Sequence, residues 1–328
     1  MQGFYKKLVF VAISTFALTA SAQMKLTLGH NAAVGNPKHE ASLKFAEIVK
    51  EKSGGKIEVQ VGPGAQFGED VPLLTALRTG TVDFSANSQG PVSSLIPEYS
   101  AFGLPFLFAT LPQAWKVLDG PAGQELAKIT EEKGLILLGY WDNGIRHVSN
   151  KTRPINTPED LKGLKLRVPA DPSTIEILKA LGADPQQIQF SELYVALQQG
   201  VVDGQENPLM NIWSSKLYEV QKYISYTSHK YEMTVFIMSK RTYDKLSEAD
   251  RKIIREAADE ATKFNRQASF ESDQKLEGEM KAKGIEFNRP DLAPFMKATE
   301  SVTAKWLEGP QGAFAKKVIE AAKEAASQ

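Results

Sequence analysis

Stretches in which apolar and polar residues alternate are interspersed along this chain with stretches of helical periodicity. Residues 25–29 and 56–61 alternate at every second position, which predicts two strands with one buried face each. Between them, residues 37–52 place apolar side chains at helical spacing, and the Ser-Gly-Gly sequence at 53–55 predicts the end of a helix. The first part of the chain is therefore predicted to form a β-α-β unit.

The same succession of predicted strands and helices continues along the chain. Strands are predicted at 82–86, 135–141 and 164–168, and helices at 71–79, 173–181 and 191–199. The uninterrupted apolar run at 135–141 is typical of a strand that is buried on both faces. The Asp-Asn-Gly sequence at 142–144 favours a turn, and we expect the chain to cross there between two doubly wound α/β domains.

Residues 247–283 carry a helical pattern of unusual length. It opens on Ser247-Glu248-Ala249-Asp250, which is typical of a capping box, and Gly278 is its one strong interruption. With a rise of about 1.5 Å per residue, the predicted helix is about 50 Å long. That length exceeds the width of one domain.

The first 22 residues are predicted to be a secretory signal peptide rather than part of the fold. Lys6 and Lys7 form a basic start, residues 8–20 are mostly apolar, and the Ala-Ser-Ala sequence at 20–22 suits cleavage before Gln23. The apolar run is too short for a good membrane span, and later apolar runs are broken by Gly, Pro or charge. We expect a soluble, exported protein, located in the periplasm of a Gram-negative cell.

Charge and cysteine content exclude several other classes of protein. The full chain has 39 basic and 39 acidic residues, and removal of Lys6 and Lys7 leaves 37 against 39, a formal charge of −2. A near-neutral chain gives no electrostatic reason to expect nucleic-acid or anionic-membrane binding. Because the sequence has no cysteine, the exported protein would rely on packing rather than on disulfides. About 300 mature residues can supply such a core and suggest two domains.

The sequence shows no pattern typical of catalysis or metal binding. Its four histidines lack metal-ligand spacing, and the absence of cysteine excludes thiol chemistry. The glycine-rich segment 62–68 lacks the spacing and the Gly-Lys-Ser of a phosphate loop, so we interpret it as a tight loop before a helix. No Gly-x-Ser-x-Gly nucleophile elbow occurs. We therefore expect no enzyme, no metal and no cofactor.

Two motifs that lie close together suggest a binding site. Residues 160–169 read Asp-Leu-Lys-Gly-Leu-Lys-Leu-Arg-Val-Pro, and residues 202–208 read Val-Asp-Gly-Gln-Glu-Asn-Pro. The predicted strand 164–168 stops at a proline, which leaves Arg167 near the carboxyl end of the sheet, where open α/β sheets bind ligands. A guanidinium there suits a carboxylate held by two parallel hydrogen bonds. The alternative is a solvated strand residue.

These motifs resemble those of the solute-binding proteins of TRAP transporters, the DctP-type family. The segments that carry the resemblance are 45–57, 77–83, 102–108, 160–169, 190–198 and 202–208, which occur in that order. It covers nearly all of the chain after about residue 24. The resemblance implies a receptor that makes and breaks no bond, captures a small organic anion and delivers it to TRAP membrane permease subunits. We expect it to be a monomer.

The resemblance also implies the fold class: α/β, a two-lobed periplasmic binding protein fold with a long helix spanning both lobes. Residues 23–144 plus about 233–272 are expected to form lobe I, and residues 145–232 plus about 273–328 lobe II. Two alternatives remain open. An ABC-type receptor shares the two-lobe plan but not this motif order, and a periplasmic α/β enzyme would belong to a different class.

Three residues match family positions that meet the ligand carboxylate. Arg167 matches the family arginine that binds the ligand carboxylate, and Arg146 matches a second, supporting arginine. Asn207 matches an asparagine that also contacts the carboxylate. Arg146 could instead form a salt bridge at the surface or between strands. Asn207, which precedes a proline, could instead form an Asx turn that serves only its own loop.

Three further residues match positions that contact the rest of the ligand. Asn31 and Asp70 match positions that read hydroxyl groups, and Phe190 matches an aromatic contact. The alternative for Asp70 is a carboxylate favoured by a helix N-terminus, and the alternative for Phe190 is a place in the core.

Residues 87–91 differ from the sialic-acid branch of this family. That branch carries an acid and an arginine along the segment, where this chain has Ser88 and Pro91. A neutral, hydrogen-bonding lining is expected instead, and its further members are His30, Asn87, Ser88 and Gln89. Trp141 and Trp213 are interpreted either as an apolar wall or as core.

The expected ligand is a sugar acid, with a hexuronate such as glucuronate or galacturonate as the first choice. Arg167 and Arg146 imply a carboxylate. An anionic Asp70 would repel a second carboxylate while accepting hydrogen bonds from hydroxyls. The alternatives are another carboxylate, namely an aldonate, a C4-dicarboxylate or a keto acid.

Overall fold

Residues 23–327 are described by a computed structural model, in which nine strands form one mixed sheet. The predicted signal peptide, residues 1–22, lies outside the described residues. The strands are β1 (Met24–Gly29), β2 (Ile57–Gly62), β3 (Phe84–Ser88), β4 (Leu135–Asn150), β5 (Lys165–Val168), β6 (Asp184–Gln187), β7 (Gly204–Asn207), β8 (Tyr223–Ser239) and β9 (Glu286–Asn288). Their order in the sheet is β2-β1-β3-β8-β4-β7-β5-β6, and β9 pairs with β8.

Helices cover the sheet, and the predicted ones form within a few residues of their expected bounds. They are α1 (Pro37–Lys52), α2 (Asp70–Thr79), α3 (Gln89–Ser93), α4 (Leu111–Asp119), α5 (Pro121–Glu132), α6 (Pro172–Ala180), α7 (Leu193–Gln198), α8 (Leu209–Ser214), α9 (Lys240–Lys245), α10 (Glu248–Ala282), α11 (Ala293–Glu308) and α12 (Gly312–Ala326). Strands that alternate with helices confirm the α/β prediction. Within residues 23–327, no helix combines the length and the apolar character that a membrane crossing requires.

Two groups of parallel strands are joined by two long antiparallel strands. Strand β1 is parallel to β2 and β3, and β5 is parallel to β6 and β7. Between these groups, β4 and β8 have 16 and 17 residues and pair along most of their length. The sheet is therefore continuous, and β4 and β8 carry the chain from one group of strands to the other.

The turn predicted at Asp142-Asn143-Gly144 is wrong, because β4 continues through these residues to Asn150. The ladder between β4 and β8 instead shifts register between Asp142 and Gly144, as it does at two other places. Gly144 has a φ of 113°, which is easily adopted only by glycine. The turn-forming residues thus produce a bulge that bends the strand without ending it.

Separate apolar clusters pack on the two groups of strands. Near β1 and β3, the ring of Phe45 packs edge to face against those of Phe84 and Phe236. Trp141 stacks on Phe236, with 4.3 Å between the ring centroids. Other clusters surround β5 and β7. Helix α12, which was expected in lobe II, packs on a cluster that includes residues of β4 and β8. The lobe boundaries stay a prediction.

The long helix is confirmed as α10, which has 35 residues. The Ser247 side chain accepts a hydrogen bond from the Asp250 backbone N–H at 3.1 Å and caps its first turn. The helix packs on α1 and β4 and also on α8 and β9. It therefore contacts elements next to both groups of parallel strands.

Candidate functional site

A cavity of about 450 Å³ opens where the carboxyl ends of the two groups of parallel strands face each other, since the two groups run in opposite directions. Asn31 follows β1, Ser88 ends β3, Arg167 lies near the end of β5, and Asn207 ends β7. Parallel strands expose the edge of the sheet at their carboxyl ends, so side chains from both groups of strands reach one space. The starts of α1 and α2 and the turn before α7 complete the wall.

Arg167 is a buried cation without a carboxylate partner. Its exposed fraction is 3%, and among residues 23–327 no carboxylate oxygen lies within the 4.0 Å of an ion pair. Its Nε donates to the carbonyl of Ile188 at 2.8 Å, and its guanidinium carbon lies 5.5 Å from the Phe190 ring centroid. Burial lowers the pKa of Arg167 to about 10, so it stays charged at neutral pH. The cavity wall therefore carries a buried guanidinium that has no carboxylate within ion-pair distance; that it meets a ligand carboxylate stays a prediction.

Arg146 also reaches the cavity, but its charge is already compensated. Its guanidinium donates to the carboxylates of Glu206 and Glu232 and, at 2.6 Å, to the Glu206 carbonyl. Burial disfavours the charged form, but the two glutamates outweigh burial and raise the pKa of Arg146. The interstrand salt bridge weighed as an alternative is therefore present. A direct contact with ligand stays a prediction.

An asparagine network connects Arg146 with the cavity. Asn207 Oδ1 accepts from Arg146 Nη2 at 3.3 Å and from Asn211 Nδ2 at 3.0 Å. Asn211 Nδ2 also donates to Asn143 Oδ1 at 3.0 Å. The Asn207 side chain thus bonds beyond its own loop, and these bonds hold it in one orientation at the cavity wall.

The opposite wall carries a second polar group of side chains. Asn31 Nδ2 donates to Asp70 Oδ2 at 2.8 Å, and the buried Lys38 Nζ lies 3.4 Å from Asn31 Oδ1 and 3.3 Å from Ser88 Oγ. Burial raises the pKa of Asp70 to about 6, although Lys38 acts against this. Burial lowers the pKa of Lys38, although Asp70 acts against that. This wall offers hydrogen-bond donors and acceptors side by side.

Sequence reasoning missed Lys38. It lies in the first turn of α1, directly after Pro37, where a positive charge opposes the helix dipole. From the sequence, a lysine at that position is indistinguishable from an ordinary surface residue. Its unfavourable placement in the first turn of a helix was the one feature that could have marked it as a candidate site residue. Its burial follows only from tertiary contacts, among them those of its ammonium with Asn31 after β1 and with Ser88 at the end of β3.

Seven of the ten predicted site residues line the cavity, and three lie behind its wall. Those in the lining are Asn31, Asp70, Ser88, Arg146, Arg167, Phe190 and Asn207. Asn87 donates to the Asp70 carbonyl at 2.6 Å, Gln89 donates to the Tyr99 carbonyl at 2.7 Å, and His30 bonds to His39 at 3.2 Å. Asn87 precedes Ser88 in β3 and faces away from the cavity, because neighbouring side chains along a strand point to opposite faces. Gln89 is the first residue of α3, and its bond to Tyr99 holds its side chain away from the cavity.

The two candidate tryptophans lie outside the cavity lining. Trp141 is core, and Trp213 stacks on Tyr218 with 4.9 Å between ring centroids.

Two groups of hydrogen bonds link the walls of the cavity. Glu69 Oε1 accepts from the Ser191 backbone N–H at 3.2 Å. Asn36 Nδ2 donates to Asn211 Oδ1 at 2.9 Å and to Ser214 Oγ at 3.1 Å. These bonds connect the starts of α1 and α2 with elements that follow β6 and β7.

A family model for bacterial extracellular solute-binding proteins, family 7 (DctP), matches residues 28–309. The chain belongs to this family. DctP proteins are the solute-binding proteins of TRAP transporters. The DctP chain is 50% identical to an uncharacterized protein of Sinorhizobium fredii, over 89% of this chain and 54% of that protein. It thus spans about half the length of that relative.

Solved structures of similar DctP proteins hold different small acids. A sugar acid binding protein of Advenella mimigardefordensis in complex with galactonate is 34% identical, with a TM-score of 0.89 over 92% of this chain and 99% of that one. A Sulfitobacter protein with β-D-galacturonate is 31% identical, with a TM-score of 0.87 over 92% and 99%. A Sulfurospirillum deleyianum protein with succinate is 33% identical, with a TM-score of 0.87 over 90% and 98%.

Proposed function

We propose that this protein is a periplasmic receptor that captures a sugar acid, with a hexuronate such as galacturonate or glucuronate as first choice, and delivers it to a TRAP membrane permease. One observation carries the proposal. Arg167 is a buried guanidinium that faces a polar cavity without a carboxylate of its own. A ligand carboxylate would neutralise this guanidinium and accept two charge-assisted hydrogen bonds from it, in a site that excludes most water.

The charges of the cavity favour a ligand with one carboxylate. Arg146 is offset by Glu206 and Glu232, and Asp70 is the acid that acts most strongly to raise the pKa of Lys38 against the effect of burial. Arg167 is left as the cation that a ligand must neutralise. A structure of similar fold binds succinate, so the fold admits a dicarboxylate and these charges must decide between the two classes.

The wall across from Arg167 favours hydroxyl groups on the rest of the ligand. Asp70 and Asn31 offer acceptors, and Lys38, Asn31 and Ser88 offer donors. A hydroxyl can donate and accept at once, so a polyhydroxylated chain or ring can pair with both kinds of group. The galacturonate and galactonate complexes of similar proteins support this substrate class.

Capture would follow from closure of the two predicted lobes around the ligand. Asn31 and Asp70 belong to the predicted lobe I, and Arg167 and Asn207 to lobe II, so a ligand that touches both sets favours the closed state. A ligand shifts such an equilibrium only by its difference in affinity for the two states. We propose that the receptor acts as a monomer in the periplasm and presents the closed form to the permease.

Calorimetry with a panel of acids tests the proposal. Galacturonate, glucuronate, galactonate and succinate are titrated into the purified protein, and the recovered ligand is examined by mass spectrometry. We expect one-to-one binding of a sugar acid, unchanged chemically after release, and at least tenfold weaker binding of succinate. Tight succinate binding with none of the sugar acids would overturn the substrate class, and turnover of the ligand would overturn the receptor function.

A further inference from the structure

Lys38 is a second buried cation at the cavity, on the wall across from Arg167. Its exposed fraction is 3%, and within residues 23–327 its ammonium lies beyond 4.0 Å from every carboxylate oxygen. The two contacts of Nζ, to Asn31 and Ser88, are long at 3.4 and 3.3 Å. An ammonium has three donors, so Lys38 keeps donor capacity for a group inside the cavity.

Asp70 complements Lys38 as an acceptor at the same wall. It is buried, and it receives one strong bond from Asn31 at 2.8 Å and one long bond from the Ser88 N–H at 3.4 Å. A carboxylate offers about four lone-pair sites, so Asp70 keeps acceptor capacity. Both residues line the cavity.

The helix that carries Lys38 does not favour a cation at this position. The position is in the first turn of α1, where the helix dipole opposes a positive charge, and its surroundings are buried. An uncharged side chain of similar length would suit α1 better. Asp70, in contrast, lies in the first turn of α2, where the dipole favours a carboxylate. We infer from the unfavourable placement of Lys38 that its charge serves ligand binding.

We propose that Lys38 and Asp70 form a selectivity pair that reads the end of the ligand remote from Arg167. Lys38 donates to one hydroxyl oxygen there, and Asp70 accepts from the same or a neighbouring hydroxyl. A distal carboxylate is rejected, because Asp70 would repel it and it has no proton to donate. A chain without hydroxyls is rejected too, because both buried groups would lose their partners. This inference rests on the proposed function.

Galactonate and galactarate provide a matched pair of ligands, since they differ only in whether the last carbon is a primary alcohol or a carboxylate. The variants are Lys38→Met, which keeps length and burial, and Asp70→Asn, which keeps shape. Lys44→Met, on the exposed face of the same helix, is the control. Thermal melting of each variant establishes that it is folded.

We expect Lys38→Met to weaken galactonate binding by about 10- to 100-fold, as expected for loss of a hydrogen bond to a charged group. Asp70→Asn leaves Lys38 uncompensated, so the ratio of galactarate to galactonate affinity should rise at least tenfold. Lys44→Met should bind galactonate as the parent does.

The outcomes separate this inference from the proposed function. A parent that binds galactonate while Lys38→Met stays within threefold, or while Asp70→Asn leaves the ratio unchanged, overturns the selectivity pair alone. A parent that prefers galactarate to galactonate also overturns the selectivity pair alone, whereas a parent that binds succinate and no sugar acid, or no acid of the panel, overturns both.

Discussion

Arg167 and Arg146 reach the same cavity, yet only one of the two has carboxylates against its guanidinium. Two glutamates and a backbone carbonyl hold Arg146, so its role without ligand is to neutralise Glu206 and Glu232. Arg167 has a carbonyl and an aromatic face instead. We therefore predict that replacement of Arg167 affects ligand binding, whereas replacement of Arg146 affects the stability of the fold.

Arg167→Ala should abolish ligand binding while the fold is retained. Loss of a buried, hydrogen-bonded charge pair costs several kcal/mol, which corresponds to a loss of about a hundredfold or more in affinity. Arg167→Lys should not rescue it, because an ammonium lacks the planar fork. Calorimetry checks both, with the exposed Arg241→Ala as control. An affinity within threefold of the parent for Arg167→Ala would remove Arg167 from the site.

The two arginines should also differ in their effect on the free energy of unfolding without ligand. Arg146→Met leaves Glu206 and Glu232 buried without their cation and should destabilise by about 3–5 kcal/mol. Arg167→Met removes a buried charge that has no carboxylate partner, so stability should stay equal or rise. Urea denaturation of both variants measures this. An equal decrease in the free energy of unfolding for Arg146→Met and Arg167→Met would contradict the assignment of Arg167 as the cation without a carboxylate partner.

At the scale of elements, the start of α1 joins the two walls of the cavity. Asn36 caps α1 through Oδ1, which accepts from the Lys38 backbone N–H at 2.9 Å, while its Nδ2 donates to Asn211 and Ser214 near α8. One side chain therefore both fixes the helix that carries Lys38 and reaches the elements that follow β7. Asn211 continues this connection to Asn207 at the cavity.

Asn36→Asp separates these two tasks. The carboxylate keeps the cap of α1 but places an acceptor against Asn211 Oδ1, so that bond across the cavity is replaced by a repulsion between two oxygens, while the Ser214 hydroxyl can still donate to the carboxylate. We expect ligand release to be about tenfold faster, since truncation of a hydrogen bond at an interface acts mainly on dissociation. Stopped-flow release measures it, and Asn36→Ala, which loses the cap as well, should melt at a lower temperature. An unchanged release rate for Asn36→Asp would show that this link does not hold the cavity closed.

At the scale of the whole molecule, the region where α10 packs on β4 contains one buried acid, Asp142, and one half-buried acid, Asp273. Asp142, at the β4 bulge, accepts from Trp115 Nε1 at 2.7 Å and from the Tyr231 hydroxyl at 2.8 Å. Its backbone N–H donates to Asn265 of α10 at 2.7 Å. Burial raises the pKa of Asp142 from 3.8 to about 7, and burial raises that of Asp273 on α10 to about 7 as well. The contact between α10 and the long strands is therefore expected to respond to pH near neutrality.

Asp142→Asn should flatten the pH dependence of stability. A carboxyl whose folded pKa lies above its unfolded value stabilises most below the unfolded pKa, and that contribution is lost as pH rises through the folded pKa. The window here runs from 3.8 to about 7. Since a shift of one pKa unit corresponds to about 1.4 kcal/mol, the free energy of unfolding should fall by roughly 4 kcal/mol across this pH window through Asp142 alone.

Urea denaturation at pH 5 and pH 8 compares Asp142→Asn with the parent. The asparagine variant should gain stability relative to the parent as the pH rises, because it has no charge to bury. The exposed Asp244→Asn serves as control. A difference between variant and parent that is the same at both pH values would refute a raised pKa at Asp142.

The periodicity of the sequence by itself determined the first β-α-β unit, most later elements and the 35-residue helix α10. These follow from local patterns of burial, capping and turn residues, which act over a few positions. The ordered motifs also determined the family and drew attention to Arg167. The Asp-Asn-Gly sequence misled because a bulge and a turn use the same residue types.

Tertiary structure alone decided which polar side chains face one another. It placed Lys38 in a cavity wall, turned Asn87 and Gln89 behind that wall, and left Arg167 rather than Arg146 without a carboxylate. These outcomes depend on contacts between residues far apart in the chain, such as Arg146 with Glu232 and Lys38 with Ser88. Periodicity tells which face of an element is buried, but the charge balance of a cavity is set only when several elements meet.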